Sequence, residues 1–407
     1  MASTKRRPRL AVVSPFVDKR HGTERRVAES LNRTAELFEI HVYSQHVEDL
    51  DLSRIVWHRI PAISGPHLLN YVWWFIANHV WRAWDKWFRN LPYDLVYSPG
   101  INCLDADAIS VHIMFAELLH RNLPAMRFRD HSLLAWPRLL HRHLYYRLIV
   151  KLERRIYPNP KIDLNVISRR VSDGLQEFYG REGPSPVVHC GLDGEIFNSK
   201  RRLELRESAR REFHLDAGQF TLLLIGNDWR NKGLAVLLEV MERLRELPLE
   251  LLVVGQDDPS PYESIIRAKS LAGRIHFLPL RKDVEFYYAA SDVYAGPSKE
   301  DAFGIPPLEA MACGLPVIVS GRSGVSELVT HGVDGYILEN PEQPEELAKL
   351  ISNLYEDAPL RQRLSVKAAE TARQYTWERS AREFGELLLQ TLEKKNPAVA
   401  AAFQRET

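Results

Sequence analysis

Cysteine is scarce: Cys103, Cys190 and Cys313 are the only three in 407 residues. An odd, widely spaced trio excludes a disulfide framework or a clustered zinc site and fits a reducing compartment. Net charge is scarce as well. The 54 basic and 53 acidic side chains cancel, so attraction to a polyanion must come from local patches, and no nucleic-acid partner is expected. Long apolar runs are missing. The best candidate, Leu68 to Val80, is broken by Asn70, Asn78 and His79 and falls short of the ~18 apolar residues a spanning helix needs. The charged N-terminus, Met1 to Arg9, leads into a short apolar strand with no signal-peptide core or cleavage pattern, so a cytoplasmic location is expected. No solenoid repeat and no dense carboxylate or His/Cys cluster for a metal is visible. No glycine-rich dinucleotide fingerprint follows any strand, which disfavours a nicotinamide dehydrogenase.

What is present is a globular composition, 45% hydrophobic and 26% charged, over a length that exceeds one ordinary core. Short β-branched runs alternate with helical patterns, which means stacked βαβ units and a parallel sheet. The first set is Leu10 to Ser14, Glu39 to Tyr43, Asp94 to Tyr97, Ile109 to Ile113, Asp163 to Ile167 and Pro186 to His189. The rhythm restarts at Phe220 to Ile225 and continues through Leu249 to Val254, Arg274 to Leu278, Asp292 to Tyr294, Pro316 to Val319 and Tyr336 to Leu338. Two doubly wound α/β domains are therefore expected, 1–190 and 191–375, with a helix in 376–407 that returns to the first. The polar stretch Asn198 to Arg211 reads as a linker entering a solvated helix. Open parallel sheets bind ligands at the carboxyl ends of their strands, so the expected site is an interdomain cleft.

The most informative string is Ser298-Lys299-Glu300-Asp301-Ala302-Phe303-Gly304-Ile305-Pro306-Pro307-Leu308-Glu309, followed by Ala-Met-Ala-Cys-Gly-Leu-Pro-Val-Ile. It is a loop leaving a strand, a glycine turn and a helix start, where backbone amides can hold phosphate without a metal. Asp301 and Glu309 flank that helix start and can accept hydrogen bonds from sugar or ribose hydroxyls. A second piece, Gly226-Asn227-Asp228-Trp229-Arg230-Asn231-Lys232-Gly233, offers two cations to a leaving diphosphate. Gly255 and Gln256 end another strand, and Arg281 follows a third.

The first string resembles family 4 retaining glycosyltransferases, whose signature is an acidic residue, Phe-Gly and a later glutamate. The resemblance implies a GT-B fold of two Rossmann-like domains. It implies sugar contact by Asp301, amides of Phe303 and Gly304 near sugar and phosphate, with Ala302 and Ile305 beside them, and ribose binding by Glu309. The first carboxylate of that signature is usually Glu; here Asp301 stands there, with Glu300 before it. Arg230 and Lys232 fall on the family's diphosphate element, although Asn227 replaces its arginine. Gly255, Gln256 and Arg281 correspond to the nucleotide side. In the first domain Gly22, with His21, Thr23 and Glu24, occupies the glycine-loop position, and His112 matches a histidine facing the donor sugar. The catalytic set is then His112, Asp301, Lys232 and Arg230, with no metal or other cofactor. Retention is implied by the resemblance alone.

Two further features bear on partners. Leu69, Trp73, Ile76, Val80, Trp84 and Trp87 recur at helical steps within residues 67–89, and the stretch 126–155 is rich in Arg, His and aromatics. Either they meet an anionic membrane surface at the inner face, or the Trp face packs on the first sheet. Asp105-Ala106-Asp107 spells a metal-binding pair but reads as a turn or cap. The expected function is transfer of a hexose from a nucleotide-diphosphate sugar, UDP-linked first and GDP-linked second, to a glycan, glycolipid or other hydroxyl. Within the resembling family, transferases of lipopolysaccharide core sugars are the most similar. A sugar-nucleotide epimerase and a non-catalytic sugar-nucleotide-binding module remain the alternatives.

Overall fold

A computed structural model describes residues 7–19, 22–123, 126–130 and 132–405 of the chain; His21 and His131, on which expectations above fall, lie outside them. The chain forms two compact units, Met1–His189 with Trp377–Thr407, and Cys190–Thr376.

The first unit holds a six-stranded parallel sheet in the order β5-β3-β1-β6-β7-β8. Its strands are β1 (Arg9–Val13), β3 (Glu39–Ser44), β5 (Ile55–Arg59), β6 (Leu95–Pro99), β7 (Ala108–Val111) and β8 (Asp163–Val166). A small parallel pair, β2 (Phe16–Val17) and β4 (His46–Val47), lies outside that sheet. The run Pro186–His189, expected as a strand, makes only a single bridge from Val187 to Val166. Pro186 has no N–H to give a ladder. The edge strand β5 was not expected: its mixed Trp-His-Arg end has no clean alternation.

The helix Trp377–Lys395 belongs to this unit. Phe384, Leu388 and Leu392 enter one buried cluster with Leu10, Val12, Leu31 and Val42, each such side chain contributing about 1.5–3 kcal/mol of burial. Thr391 and Lys394 bond Asp163 at 2.9 and 3.0 Å.

The tryptophan-rich segment forms the helix His67–Phe88, and its packing departs from the reading in which the apolar stripe packs on the first sheet. The inward stripe is Trp74, Ala77, Asn78, Arg82 and Asp85. Arg82 makes a two-pronged pair with Asp105, both contacts 2.7 Å, while Asp85 accepts from Tyr43 at 2.5 Å and lies 2.7 Å from His58 Nδ1. Asp105 thus serves the helix, and Asp107 accepts from the Val96 amide and pairs with Lys395. Leu69, Ile76, Val80, Trp84, Trp87 and Phe88 all face out, Trp87 with 79% of its surface exposed. A polar stripe that finds partners for Asn78, Arg82 and Asp85 inside the unit outcompetes the apolar one for the interior.

The second unit repeats the pattern with the order β11-β10-β9-β12-β13-β14. The strands are β9 (Phe220–Ile225), β10 (Leu249–Val254), β11 (Ile275–Leu278), β12 (Val293–Gly296), β13 (Val317–Ser320) and β14 (Tyr336–Leu338). β9 and β10 are buried along their whole length, as parallel strands covered on both faces must be. The stretch expected as a solvated linker helix, Ser199–Glu212, is fastened to this unit by its arginines. Arg202 donates to the Ser291 carbonyl at 2.9 Å, Arg206 to Asp292 at 2.5 Å and Arg210 to the Ala290 carbonyl at 3.0 Å. The Ala290 and Ser291 carbonyls are ones that the helix Glu285–Ala290 leaves open at its end. The unit's first and last segments meet where the Leu192 amide bonds the Tyr375 carbonyl at 3.0 Å.

Candidate active site

In each sheet the first and fourth strands of the wound order lie side by side, β1 beside β6 and β9 beside β12. The chain leaves such a switch point in opposite directions and opens a crevice at the carboxyl ends. In the second unit the loops after β9 and β12 carry most of the expected donor residues.

After β9, Gly226 takes φ 137°, and a Cβ there would stand 2.9 Å from Lys232 Cε. A side chain would block the path by which Lys232 reaches back over the turn. Lys232 lies on the short helix Trp229–Lys232 and donates to Asp301 Oδ2 at 2.5 Å. Arg230, on the same turn, is exposed. Asn227, in place of the family arginine, ties two strand ends together by accepting from the Gln256 amide at 3.0 Å. Gly255 is equally constrained, since a Cβ would lie 2.6 Å from the Gly226 carbonyl.

After β12, the loop is zipped on both sides. Asn231 donates to the Glu300 carbonyl at 2.8 Å, and the Lys299 amide donates back to the Asn231 carbonyl at 2.7 Å. On the other side the Gly324 amide bonds the Asp301 carbonyl at 3.0 Å and the Val325 amide the Phe303 carbonyl at 2.7 Å. Asp301 therefore has a fixed backbone, and its Oδ1 accepts from the Phe303 amide at 3.4 Å. Gly304 caps the helix Ile305–Ala312 with φ 92°, where a Cβ would stand 3.3 Å from Asp301 Oδ2. The expectation of an open row of amides needs correction. Pro306 and Pro307 occupy the first turn and carry no N–H, so Gly304, Ile305 and Leu308 are the residues there with amides. Ala302 sits half-buried in the same turn.

Glu309 faces inward, 4% exposed. Tyr288 donates its hydroxyl to Glu309 Oε2 at 2.7 Å, a contact across β12 between residues 21 apart in sequence. Burial, then Glu309 itself, pushes the Tyr288 phenol well up, so it stays a donor. Tyr294, also buried, is raised in the same direction, with Asp301 and Glu309 adding to burial. Arg281 is committed elsewhere: it grips Asp283 at 2.6 and 2.5 Å, pairs with Glu212 and lies 4.9 Å from the Phe286 ring. That guanidinium shapes the loop after β11, the loop expected on the nucleotide side.

In the first unit Gly22 opens the helix Gly22–Thr34. His112 follows β7 directly and is 4% exposed. Its Nε2 lies 2.9 Å from an Arg26 nitrogen, and burial, then Arg26, drives its pKa well down. Arg26 was not singled out from sequence, because Glu-Arg-Arg at a helix start reads as solvated charge. Among the described residues no group of three or more His, Cys, Asp or Glu is placed to hold a metal, and no helix is long and apolar enough to cross a membrane.

The strand order, the crevice and the loop chemistry define a class, and comparison with known proteins places it. The crystal structure of WaaG, a glycosyltransferase involved in lipopolysaccharide biosynthesis, superposes with a TM-score of 0.75 at 20% identity, covering 93% of this chain and 99% of that one. Anabaena HepE in complex with UDP-glucose superposes at 0.67 with 19% identity, covering 95% and 99%. The fold is GT-B. Residues 206–371 match the family Glycosyl transferases group 1. Lipopolysaccharide glucosyltransferase WaaG of Escherichia coli K12 is 32% identical over 236 residues, 56% of this chain and 62% of that protein. D-Inositol 3-phosphate glycosyltransferase of Corynebacterium urealyticum is 27% identical over 260 residues, 60% and 61%. The chain thus matches about three-fifths of the length of these relatives.

Proposed function

We propose that this chain is a retaining glycosyltransferase that moves a hexose from UDP-sugar, with GDP-sugar as the second choice, to a glycan or glycolipid hydroxyl. The observation that carries the reading is the Lys232–Asp301 pair at the β9/β12 switch point, with Glu309 held by Tyr288 on the helix that follows. Asp301 takes a sugar hydroxyl, Lys232 and Arg230 hold the diphosphate, and Glu309 takes the ribose; Asn227, Gly255, Gln256 and the Glu300–Ile305 loop shape the donor's bed. His112 is proposed to meet the sugar. The HepE likeness, a protein seen with UDP-glucose, supports the choice of base.

Transfer breaks the bond from the sugar C1 to the diphosphate oxygen and forms one from C1 to the acceptor oxygen on the same face. The acceptor proton passes to the departing diphosphate. Two cations near the leaving group supply what a divalent metal otherwise would, so transfer is proposed to be metal-independent. The test is a panel of UDP-, GDP-, ADP- and TDP-sugars with chelator present, read as thermal stabilisation and slow donor hydrolysis. One sugar nucleotide that binds and turns over, and loses both in Glu309→Ala, is the expected result. Binding without turnover, with any acceptor supplied, favours the binding module; conversion to an epimeric donor favours the epimerase; no binding sinks the donor site.

The acceptor is proposed to be envelope-type and lipid-linked, met at the inner face of a membrane. Support comes from the outward stripe of Trp84, Trp87 and Phe88 and from the basic helix Trp136–Ile156, with Leu133, Leu134 and Trp136 exposed before and at its start. Flotation with anionic vesicles, lost in Trp84→Ser/Trp87→Ser, is expected; equal flotation of both proteins removes this part of the reading.

A further inference from the structure

Arg26 is 1% exposed, and no carboxylate pairs with it among the described residues. One terminal nitrogen lies 2.9 Å from His112 Nε2, and the other lies 3.4 Å from both Asn165 Oδ1 and the Val188 carbonyl. The Phe384 ring sits 5.9 Å from the guanidinium carbon. A buried, unpaired guanidinium is expensive to keep, and leucine would fit a helix–sheet core better. Its neighbours show what it does. A guanidinium has donors only, so His112 Nε2 must present its lone pair and the ring's proton must sit on Nδ1. Protonating Nε2 would set a hydrogen against a hydrogen. The Nδ1 atom is buried and makes no hydrogen bond of its own, while the Ser110 carbonyl nearby favours a proton on the ring. The Ser110 hydroxyl is committed to Tyr97 and Asn165, at 2.9 and 2.8 Å, which leaves the Ser110 carbonyl as an acceptor beside the Nδ1 proton.

We propose that Arg26 is a positioning residue that locks His112 as the neutral Nδ1–H tautomer, making it a fixed hydrogen-bond donor and barring it from acting as a base. The charge behind the ring polarises it, so the Nδ1–H is a stronger donor than a free imidazole. For a ligand oxygen such as a sugar hydroxyl to accept from it, the buried Nδ1 must be uncovered, and this last clause rests on the reading of His112 given under Proposed function.

The test is long-range proton–nitrogen NMR on the full chain with labelled histidine, the His112 signal being assigned by its loss in His112→Gln. An unprotonated Nε2 from about pH 5.5 to 8 is expected, although a free imidazole titrates near 6.5. Arg26→Lys should keep this state, and Arg26→Met should lose it, the ring gaining an Nε2 proton. A wild-type ring protonated at Nε2 overturns the proposal by itself, whether or not Arg26→Met folds. In donor turnover, Arg26→Met and His112→Ala should each fall at least tenfold, and the double variant should fall no further than His112→Ala. Independent, multiplying losses overturn the positioning role. If His112→Ala turns over normally while the tautomer is as expected, the sugar contact fails and the Arg26 assignment stands.

Discussion

The two units share one strand order, yet they handle their polar residues in opposite ways. In the second, polar side chains gather at the ends of β9, β10 and β12, where Lys232 meets Asp301 and Asn227 ties down Gln256. In the first, they are drawn inside: Arg82 to Asp105, Asp85 to Tyr43 and His58, Arg26 to His112. The same sheet can therefore turn its polarity toward a ligand or spend it on holding a helix in place. The apolar stripe of the helix His67–Phe88 is outside because the polar one took the interior.

That contrast breaks most sharply where a substitution should affect donor use and leave folding intact. Lys232→Ala should lower donor turnover by about 10²–10³, roughly 3–4 kcal/mol of transition-state stabilisation, with little change in unfolding midpoint; steady-state kinetics and thermal melts decide it. Arg82→Ala should do the reverse, removing on the order of 2 kcal/mol of stability, because the buried Asn78 amide oxygen loses its donor and the exposed Asp105 loses its partner. Denaturant unfolding measures it, and unchanged stability would mean that the inward polar stripe is not what orients the helix.

A smaller effect depends on pH. Burial lifts Glu153 from 4.5 to about 7, while it accepts from the Phe115 amide at 3.0 Å and from Tyr179. The folded state then binds the proton more tightly than the unfolded one, so stability is complete below about pH 4.5 and declines as pH rises toward 7. Glu153→Gln, which retains the amide acceptor, should be more stable than wild type at pH 8 by on the order of 2 kcal/mol and equal to it near pH 4.5. Melting curves at the two pH values check the sign. The smallest effect is expected from Tyr288→Phe, which removes one hydrogen bond to Glu309 Oε2 and should weaken nucleotide binding several-fold, about 1 kcal/mol, in a calorimetric titration.

The second unit's candidate site was largely legible because it is contiguous: Asp301, Phe303, Gly304 and Glu309 lie on one loop and one helix, and Lys232 follows a visible strand end. What escaped was long-range. Tyr288 looked like core in a Tyr-Tyr-Ala-Ala run, and only the fold brings it to Glu309. Arg202, Arg206 and Arg210 looked solvated because the carbonyls they meet lie some eighty residues on. The helical period of the tryptophans was correct, but which face turned inward depended on partners such as Asp105 and His58 that periodicity does not encode. Pro306 and Pro307 were plain in the sequence, and their missing amides follow from chemistry alone.

The helix Trp377–Lys395 fills the first unit's core from beyond the second unit. A ribosome therefore completes the second unit before it releases the part that finishes the first. Residues 190–376 can close early, their ends joined by the Leu192–Tyr375 bond, while the first sheet waits with its apolar seat for Phe384 and Leu388 uncovered. During that interval the earlier-made half is the one in need of a chaperone.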